Sequence, residues 1–245
     1  MVVGPGEADR WLDQVFRQRK ELTDDMVVCL NGEGRQIGKE RRLCKKYGFW
    51  CYEDTREWGI HQPDIKTDLL KKAGRLKPDW ILPSDADEIY DKYFTREEAD
   101  KLARTGDIGF YFYLVNLWND ETRCRKALNF WNIRFFRYAP EFGLVYARKR
   151  VHCGLAPPVV YYHGSHAPFI VKHYGLMKPE DRKKKVERYE KYDPRAVFKD
   201  RSYYDALKLE TIGSPFDEDE MHKKVVDEVA SYHEKPKLIE PKIYV

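Results

Sequence analysis

The sequence predicts one α/β domain built around a mixed central sheet flanked by helices, with a helical extension at its C-terminal end. Strand and helix signals alternate over the first half of the chain, and the second half carries aromatic-rich segments typical of strands. Hydrophobic residues make up 42% of the 245 residues, which is enough for a sizeable core without metal or disulfide cross-links. We expect a very polar surface around that core, because 35% of the residues are charged.

The first half contains four predicted strands and three predicted helices. Each strand is a short apolar run, and each helix has apolar residues at helical spacing. The strands are 1–3, 26–30, 49–52 and 80–82, and the helices are 7–22, 39–47 and 64–73. This alternation implies a mostly parallel sheet with right-handed crossovers. Ligands in such sheets bind beyond the carboxyl ends of the strands, which here are 4–7, 31–33, 53–56 and 84–88.

The second half predicts antiparallel or mixed pairing, followed by two helices. Its strand-like segments are 108–118, 129–138, 145–153 and 159–162. One helix runs from Pro179 to Tyr192, and the other follows the turn at 214–217. We assign residues 1–195 to the main domain and residues 196–245 to a C-terminal helix and extended tail packed on it.

Composition limits the classes of partner and the location. The 45 Lys and Arg residues exceed the 41 Asp and Glu residues by only +4, and no nucleic-acid-binding motif occurs, so we expect no nucleic acid as partner. No apolar run is long enough to cross a membrane. The five cysteines are scattered without a Cys-x-x-Cys pair, as is typical of reduced thiols. The expected location is the cytoplasm, with a peripheral position at a membrane as the alternative, and the oligomeric state stays open.

Three acidic residues follow the fourth predicted strand at the ligand-binding edge of the sheet. Asp85 and Asp87 are two residues apart, so their side chains point the same way in an extended segment, and Glu88 adjoins them. Two such charges about 4 Å apart repel by roughly 4 kcal/mol at an effective dielectric constant of about 20. A cation between them would remove this repulsion, and oxygen ligands favour Mg²⁺ or Mn²⁺. The alternative is a solvated acidic turn.

The segment Asp85-Ala86-Asp87-Glu88 resembles the Asp-x-Asp motif of glycosyltransferases with the GT-A (Rossmann-like) fold, in particular the family 2-like group. The opening 2–12 is similar to the first strand, turn and helix of that group, although Gly6 stands where an Asn is usual. Residues 172–194 resemble the C-terminal part of these enzymes. The likeness covers residues 1–195 and implies a GT-A nucleotide-sugar glycosyltransferase domain.

The resemblance implies a metal-dependent, inverting transfer of a sugar from a nucleotide-diphosphate sugar to the hydroxyl group of a sugar or other acceptor. It implies Mn²⁺ or Mg²⁺ as cofactor, with Asp85, Asp87 and His173 as the metal site. The donor site expected from it contains Val3, Gly4, Glu7, Asn31, Asp54, Lys66, Asp85 and Arg182. The ion neutralises the charge that develops on the diphosphate when the glycosidic bond breaks.

Inversion by direct displacement needs a general base that takes the proton of the acceptor hydroxyl. Asp120 and Glu121 follow the long aromatic strand and are the candidates, and Trp118 beside them is a candidate for stacking on a sugar face. The alternative for this pair is a plain hairpin turn. Two rival functions share parts of the pattern: a metal-dependent nucleotidyltransferase and a glycoside hydrolase, whose two carboxylates flank the scissile bond.

Overall fold

A computed structural model describes residues 1–143, 145–148, 153–197, 199–209 and 211–234. The first part of the chain forms three parallel strands in the order β1-β2-β3, with helices between them. Four of the five β2 residues are buried, because this strand lies in the centre of the small sheet. The elements are β1 (Val2–Val3), α1 (Leu12–Leu22), β2 (Val27–Asn31), α2 (Gly38–Tyr47), β3 (Trp50–Asp54) and α3 (Trp58–Gly74).

The rest of the strands form a seven-stranded mixed sheet. They are β4 (Trp80–Ile81), β5 (Glu88–Tyr90), β6 (Gly109–Trp118), β7 (Asp120–Cys124), β8 (Phe130–Arg137), β9 (Ser165–His173) and β10 (Ser214–Pro215). The aromatic strand β6 is the centre of this sheet. It pairs antiparallel with β7 and β8 and parallel with β9. The mixed pairing predicted for the second half is therefore confirmed.

The fourth strand does not continue the parallel sheet, which corrects the prediction for the first half. β4 pairs antiparallel with β8, through Trp80 with Arg137 and Ile81 with Phe136. Pro83 follows shortly after and has no backbone N–H to donate, so the ladder ends early. A single parallel bridge between Val2 and Asp85 links the two sheets beyond this point. That bridge places the acidic turn beside the end of β1.

Two of the remaining helices coincide with predicted helices. They are α6 (Pro179–Tyr192) and α8 (Glu218–Glu234), and α4 (Arg96–Ala103), α5 (Pro158–His163) and α7 (Arg201–Lys208) complete the set in the described residues. The strand predicted at 159–162 is wrong, because Pro158 begins a helix there, a position that proline favours. The strand predicted at 145–153 falls partly outside the described residues, and its described residues form no strand. The predicted tail from residue 235 lies wholly outside them.

The elements after residue 195 pack on the rest of the chain. The hydroxyl of Tyr204 on α7 donates to Asp193 at 2.6 Å, and the rings of Tyr204 and Tyr189 stack at 5.1 Å. α8 lies along β9, with His222 Nδ1 3.1 Å from the buried Asp91. None of the five cysteines forms a disulfide bond. No helix within the described ranges has the length and apolarity needed to cross a membrane.

Candidate functional site

A cleft of about 1060 Å³ opens at the carboxyl ends of the parallel strands. Gly4, Glu7 and Asn31, which follow or end β1 and β2, line it together with residues of α6. The acidic turn 85–88 also lines the cleft. This is the edge at which ligands bind in open α/β sheets.

Alternate residues of three neighbouring strands form the floor of the cleft. Residues two apart on a strand point to the same face, and residues directly opposite each other on neighbouring strands share that face. Leu114 pairs with Phe130 across β6 and β8, and Asn116 pairs with His173 across β6 and β9. The floor residues are Leu114, Asn116, Phe130, Asn132, Arg134 and His173.

Asp87 and His173 both line the cleft and lie next to each other. Oδ2 of Asp87 lies 3.4 Å from Nε2 of His173. The backbone brings them together, because Glu88, the residue after Asp87, pairs with His173 across β5 and β9. Gly175 makes this approach possible. A Cβ on Gly175 would lie 2.0 Å from Oδ2 of Asp87 and 2.7 Å from Nε2 of His173.

Asn116 determines which nitrogen of His173 faces the cleft. Its Oδ1 lies 2.6 Å from Nδ1 of His173, and its amide Nδ2 donates to the carbonyl oxygen of Leu128. The amide is therefore oriented with its oxygen towards the ring, so Nδ1 carries the proton and donates it. When the ring is neutral, its lone pair is then on Nε2, beside Asp87; when the ring is charged, Nε2 donates to Asp87 instead. A metal-binding histidine is oriented by such a hydrogen bond from its other nitrogen.

Several cations surround Asp87. Burial by itself would raise the pKa of Asp87, but His173, Lys185 and Arg10 together hold that pKa below its ordinary value. Lys184, Lys185 and Arg188 of α6 line the cleft. A carboxylate that stays charged beside a row of cations provides the two kinds of group that a metal-bound diphosphate requires.

Asp85 and Glu88 have different surroundings. The Asp85 side chain borders the cleft beside Val2. Glu88 is almost fully buried and accepts hydrogen bonds from Arg134 at 2.6 and 3.1 Å. The backbone N–H of Asp85 also donates to Glu88, at 3.3 Å. Glu88 therefore stabilises the acidic turn through its hydrogen bond with the backbone of Asp85, and Arg134 balances its charge.

The donor set fits a divalent ion that shares its coordination with a substrate. Within the described part of the chain, no group of three or more His, Cys, Asp or Glu side chains is placed to hold a metal by itself. Asp87 and His173 nevertheless offer an oxygen and a nitrogen on one side of the cleft. Mg²⁺ in phosphate-transferring sites is usually held by one or two carboxylates together with phosphate oxygens. Two protein ligands are therefore sufficient if a diphosphate supplies the others.

Glu7 also lines the cleft, and its carboxyl group has unusual surroundings. Its Oε2 is buried without a hydrogen-bond partner in the described structure, and Nη1 of Arg10 is 4.0 Å away. Burial raises the pKa of Glu7 to about 7, and the negative charge of Asp87 adds to the rise. A buried acceptor without a partner is costly, so this oxygen is available to a ligand hydroxyl group.

The other residues predicted to bind the donor have mixed surroundings. Asn31 borders the cleft and donates to two backbone carbonyl oxygens, those of Asp54 and Arg56. Lys66 also borders it and donates to the carbonyl oxygen of Gly154 at 2.7 Å. Val3 is fully buried in the core.

Two charged residues predicted for the donor site are engaged elsewhere. Asp54 is paired with Arg56 at 2.6 Å, which lowers the pKa of the carboxyl group. Arg182 is buried, donates to the carbonyl oxygens of Leu176 and Met177, and lies 4.0 Å over the ring of Trp118. Neither Asp54 nor Arg182 lines the cleft.

The pair predicted as the catalytic base lies outside the cleft lining. Asp120 is half-exposed, and its Oδ1 accepts from the backbone and hydroxyl of Thr122. Glu121 accepts from the hydroxyl of Tyr174 at 3.3 Å. Trp118 is fully buried, so it has no face free to stack on a sugar.

Four residues next to Asp87, His173 and Glu88 were not predicted as site residues from the sequence: Asn116, Arg134, Gly175 and Lys185. Asn116 interrupts an otherwise apolar strand and Arg134 is a buried charge within an aromatic-rich one, and a polar residue in a buried strand is a usable signal. Gly175 follows His173 closely in the chain, and a glycine beside a candidate ligand indicates a close approach. Lys185 is one of six cations on α6, so only the fold distinguishes it from the others.

No protein-family profile matches this chain, and no curated protein matches it. Its fold is similar to the crystal structure of S. aureus TarS, a glycosyltransferase, with a TM-score of 0.51 and 10% sequence identity. The similarity covers 95% of this chain and 43% of TarS, so the chain spans less than half the length of TarS. The likeness shows a mixed α/β fold that the chain shares with part of TarS. Activity has to be argued from the site.

Proposed function

We propose that this chain is a family 2-like glycosyltransferase of the GT-A fold, which moves a sugar from a nucleotide-diphosphate sugar to an acceptor hydroxyl group. One observation carries the proposal. Asp87 and the Nε2 atom of His173 meet 3.4 Å apart among cations, at the carboxyl ends of parallel strands. The fold around them is similar to that of a glycosyltransferase.

The proposed donor site follows from the charges of the cleft. Asp87 and His173, with Asp85 beside them, would hold Mn²⁺ or Mg²⁺, and the ion would neutralise the charge of the departing diphosphate. Lys184, Lys185 and Arg188 face the same space from α6 and provide further positive charge for the phosphates. Gly4, Glu7 and Asn31 border the part of the cleft next to β1 and β2, where the nucleoside would lie.

The proposed reaction is a single displacement. The acceptor oxygen forms a bond to the anomeric carbon, the bond from that carbon to the diphosphate breaks, and a base takes the hydroxyl proton. The product therefore has the inverted anomeric configuration. Asp120 and Glu121 remain the hypothesis from the sequence for the base, and their position outside the cleft lining makes it a separate question from the function itself.

The decisive variant is Asp87→Asn, which keeps the size of the side chain and removes its charge. We expect loss of Mn²⁺-dependent binding of nucleoside diphosphates and at least about 100-fold slower transfer, because the ion loses its charged ligand. Asp64→Asn is the matched control, since Asp64 is 64% exposed on α3 and does not border the cleft.

The measurements are isothermal titration of nucleoside diphosphates with Mn²⁺ or with EDTA, and turnover of a panel of nucleotide sugars. NMR of the anomeric proton at early times reports the configuration of the product. Equal affinity in Mn²⁺ and in EDTA would contradict the metal dependence. A nucleotidyltransferase would release pyrophosphate, and a glycoside hydrolase would act on glycosides without a nucleotide, so the products distinguish both rivals from sugar transfer.

A further inference from the structure

Lys185 contacts Nε2 of His173, the atom that would coordinate a metal ion. Its Nζ lies 3.4 Å from Nε2 of His173. Lys183, two residues earlier on α6, is on the other face of the helix and is exposed to solvent. Asp87 lies at the same distance from that nitrogen. Lys185 is half-buried at this point, whereas its neighbour Lys184 is exposed at the edge of the cleft.

This contact places the ammonium group of Lys185 beside the atom of His173 that would bind the ion. Asn116 accepts from Nδ1 of His173, so the neutral ring has its lone pair on Nε2. An ammonium group has only donors, so Lys185 donates to that lone pair. A metal ion bound to Nε2 would use the same lone pair. The lysine and the ion therefore cannot occupy Nε2 together, and both are positive, so they also repel each other.

We propose that Lys185 is a tethered cation that exchanges partners when the donor binds. In the free protein it occupies Nε2 of His173 and offsets the charge of Asp87. When the ion and the diphosphate enter together, Lys185 leaves the imidazole and binds a phosphate oxygen. This inference rests on the proposed function and adds a specific role for one residue of α6.

The exchange predicts that the ion binds weakly alone and more tightly together with a nucleoside diphosphate. The ion alone has to displace Lys185 without offering it a new partner, so the ion alone binds weakly. The ion and a nucleoside diphosphate together offer the ammonium group a phosphate oxygen. Each of the two ligands therefore binds more tightly when the other is already bound. Lys185 therefore contributes to positive coupling between ion and diphosphate, and such coupling is reciprocal.

Lys185→Gln tests this exchange because it changes the two affinities in opposite directions. Without the competing cation, Mn²⁺ alone should bind about 5- to 10-fold more tightly, as measured by the electron paramagnetic resonance signal of free Mn²⁺. Without the phosphate contact, a nucleoside diphosphate in saturating Mn²⁺ should bind about 10-fold more weakly, as measured by titration calorimetry. Lys183→Gln removes the same charge from an exposed position of α6, and both affinities should stay within about twofold.

Lys185→Arg provides a second variant that keeps the charge. It should retain most of the diphosphate affinity, because a guanidinium group also binds phosphate. Lys185→Gln with both affinities unchanged, or with both lowered, would overturn the exchange. Melting temperatures in EDTA show whether Lys185→Gln has a folding defect. If it has one, the affinities of Lys185→Arg test the exchange instead. If the wild type binds Mn²⁺ and nucleoside diphosphate and Lys185→Gln binds both with the same affinities, only the role of Lys185 is refuted. A wild-type protein that binds no nucleoside diphosphate with Mn²⁺ refutes the proposed function as well.

Discussion

Glu7 and Asp87 are two carboxyl groups of one cleft, and their surroundings move their pKa values in opposite directions. Burial raises the pKa of Glu7 from 4.5 to about 7, and the charge of Asp87 adds to the rise. Asp87 is desolvated as well, but His173, Lys185 and Arg10 lower its pKa. The cleft thus contains one carboxylate that is charged at all moderate pH values and one that titrates near neutrality.

The raised pKa of Glu7 predicts that Glu7→Gln stabilises the metal-free protein at pH 8. The folded-state pKa lies above the unfolded value, so the folded protein holds this proton more tightly. That stabilisation is complete below pH 4.5 and is lost as the pH rises towards 7. At pH 8 the variant should have a free energy of unfolding higher by about 1–3 kcal/mol, and near pH 4 the difference should vanish.

Urea unfolding in EDTA at both pH values measures this difference. Glu33→Gln is the control, because Glu33 is exposed on the loop after β2 and its replacement should leave stability within about 0.5 kcal/mol. A wild-type protein as stable as Glu7→Gln at pH 8 would show that the buried carboxylate of Glu7 is better solvated than its surroundings indicate.

At the scale of elements, the hairpin of β6 and β7 explains why the predicted base lies away from the cleft. Trp118 pairs with Asp120 directly across the turn, and the residue between them, Asn119, has a positive φ of 70°. Asparagine tolerates this conformation better than most residues, so a tight turn forms here. The turn directs Asp120 and Glu121 onto a strand that pairs with β6 and β10, outside the cleft lining.

This position predicts that Asp120→Asn and Glu121→Gln each keep turnover within about tenfold of the wild type. A general base contributes about 10²–10⁴ in rate, so a loss in that range, with donor binding unchanged, would instead support the hypothesis from the sequence. Turnover and donor affinity are measured side by side for both variants. Arg123→Gln, on the same strand, reports any general effect of disturbing the hairpin.

At the scale of the whole molecule, α8 connects the C-terminal part of the chain to the strand that ends at His173. Asp91 is fully buried and accepts from the backbone N–H groups of Phe94 and Ile170 as well as contacting His222. The rings of His222 and Tyr93 stack at 3.8 Å. Burial raises the pKa of Asp91, and the hydrogen bonds from Ile170, His222 and Phe94 oppose that rise.

This contact predicts that His222→Leu lowers the free energy of unfolding by about 1–3 kcal/mol, because a buried carboxyl group loses a hydrogen-bond partner. His61→Ala, at a 43% exposed position on α3, should change it by less than about 0.5 kcal/mol. Urea unfolding followed by fluorescence and by circular dichroism should give one coincident transition if α8 unfolds with the rest. Two separate transitions in the wild type would show that α8 is an independent unit.

Much of the fold follows from local patterns of the chain. The apolar runs of β2 and β3 and the helical spacing of α2, α6 and α8 are properties of neighbouring residues, and these elements are found where they were predicted. β9, α4 and α7 were missed and 159–162 was misassigned. In β9 and 159–162 the reason is that short segments with aromatic and β-branched residues suit strand and helix alike. In those places packing against β6 or α6 outweighs local preference.

The acidic turn is a different case, because its composition is local but its surroundings are not. The sequence alone accounts for Asp85 and Asp87 standing after a short strand, and for a fold that places strand ends and ligand together. The neighbours of Asp87 depend on pairings between distant segments: β5 with β9, β6 with β9, and α6 over the cleft. Strand register and the turn at Asn119 set which nitrogen of His173 faces Asp87, which lysine contacts that nitrogen, and which carboxylates remain outside the cleft. Register depends on contacts far apart in the chain, and no local pattern contains it.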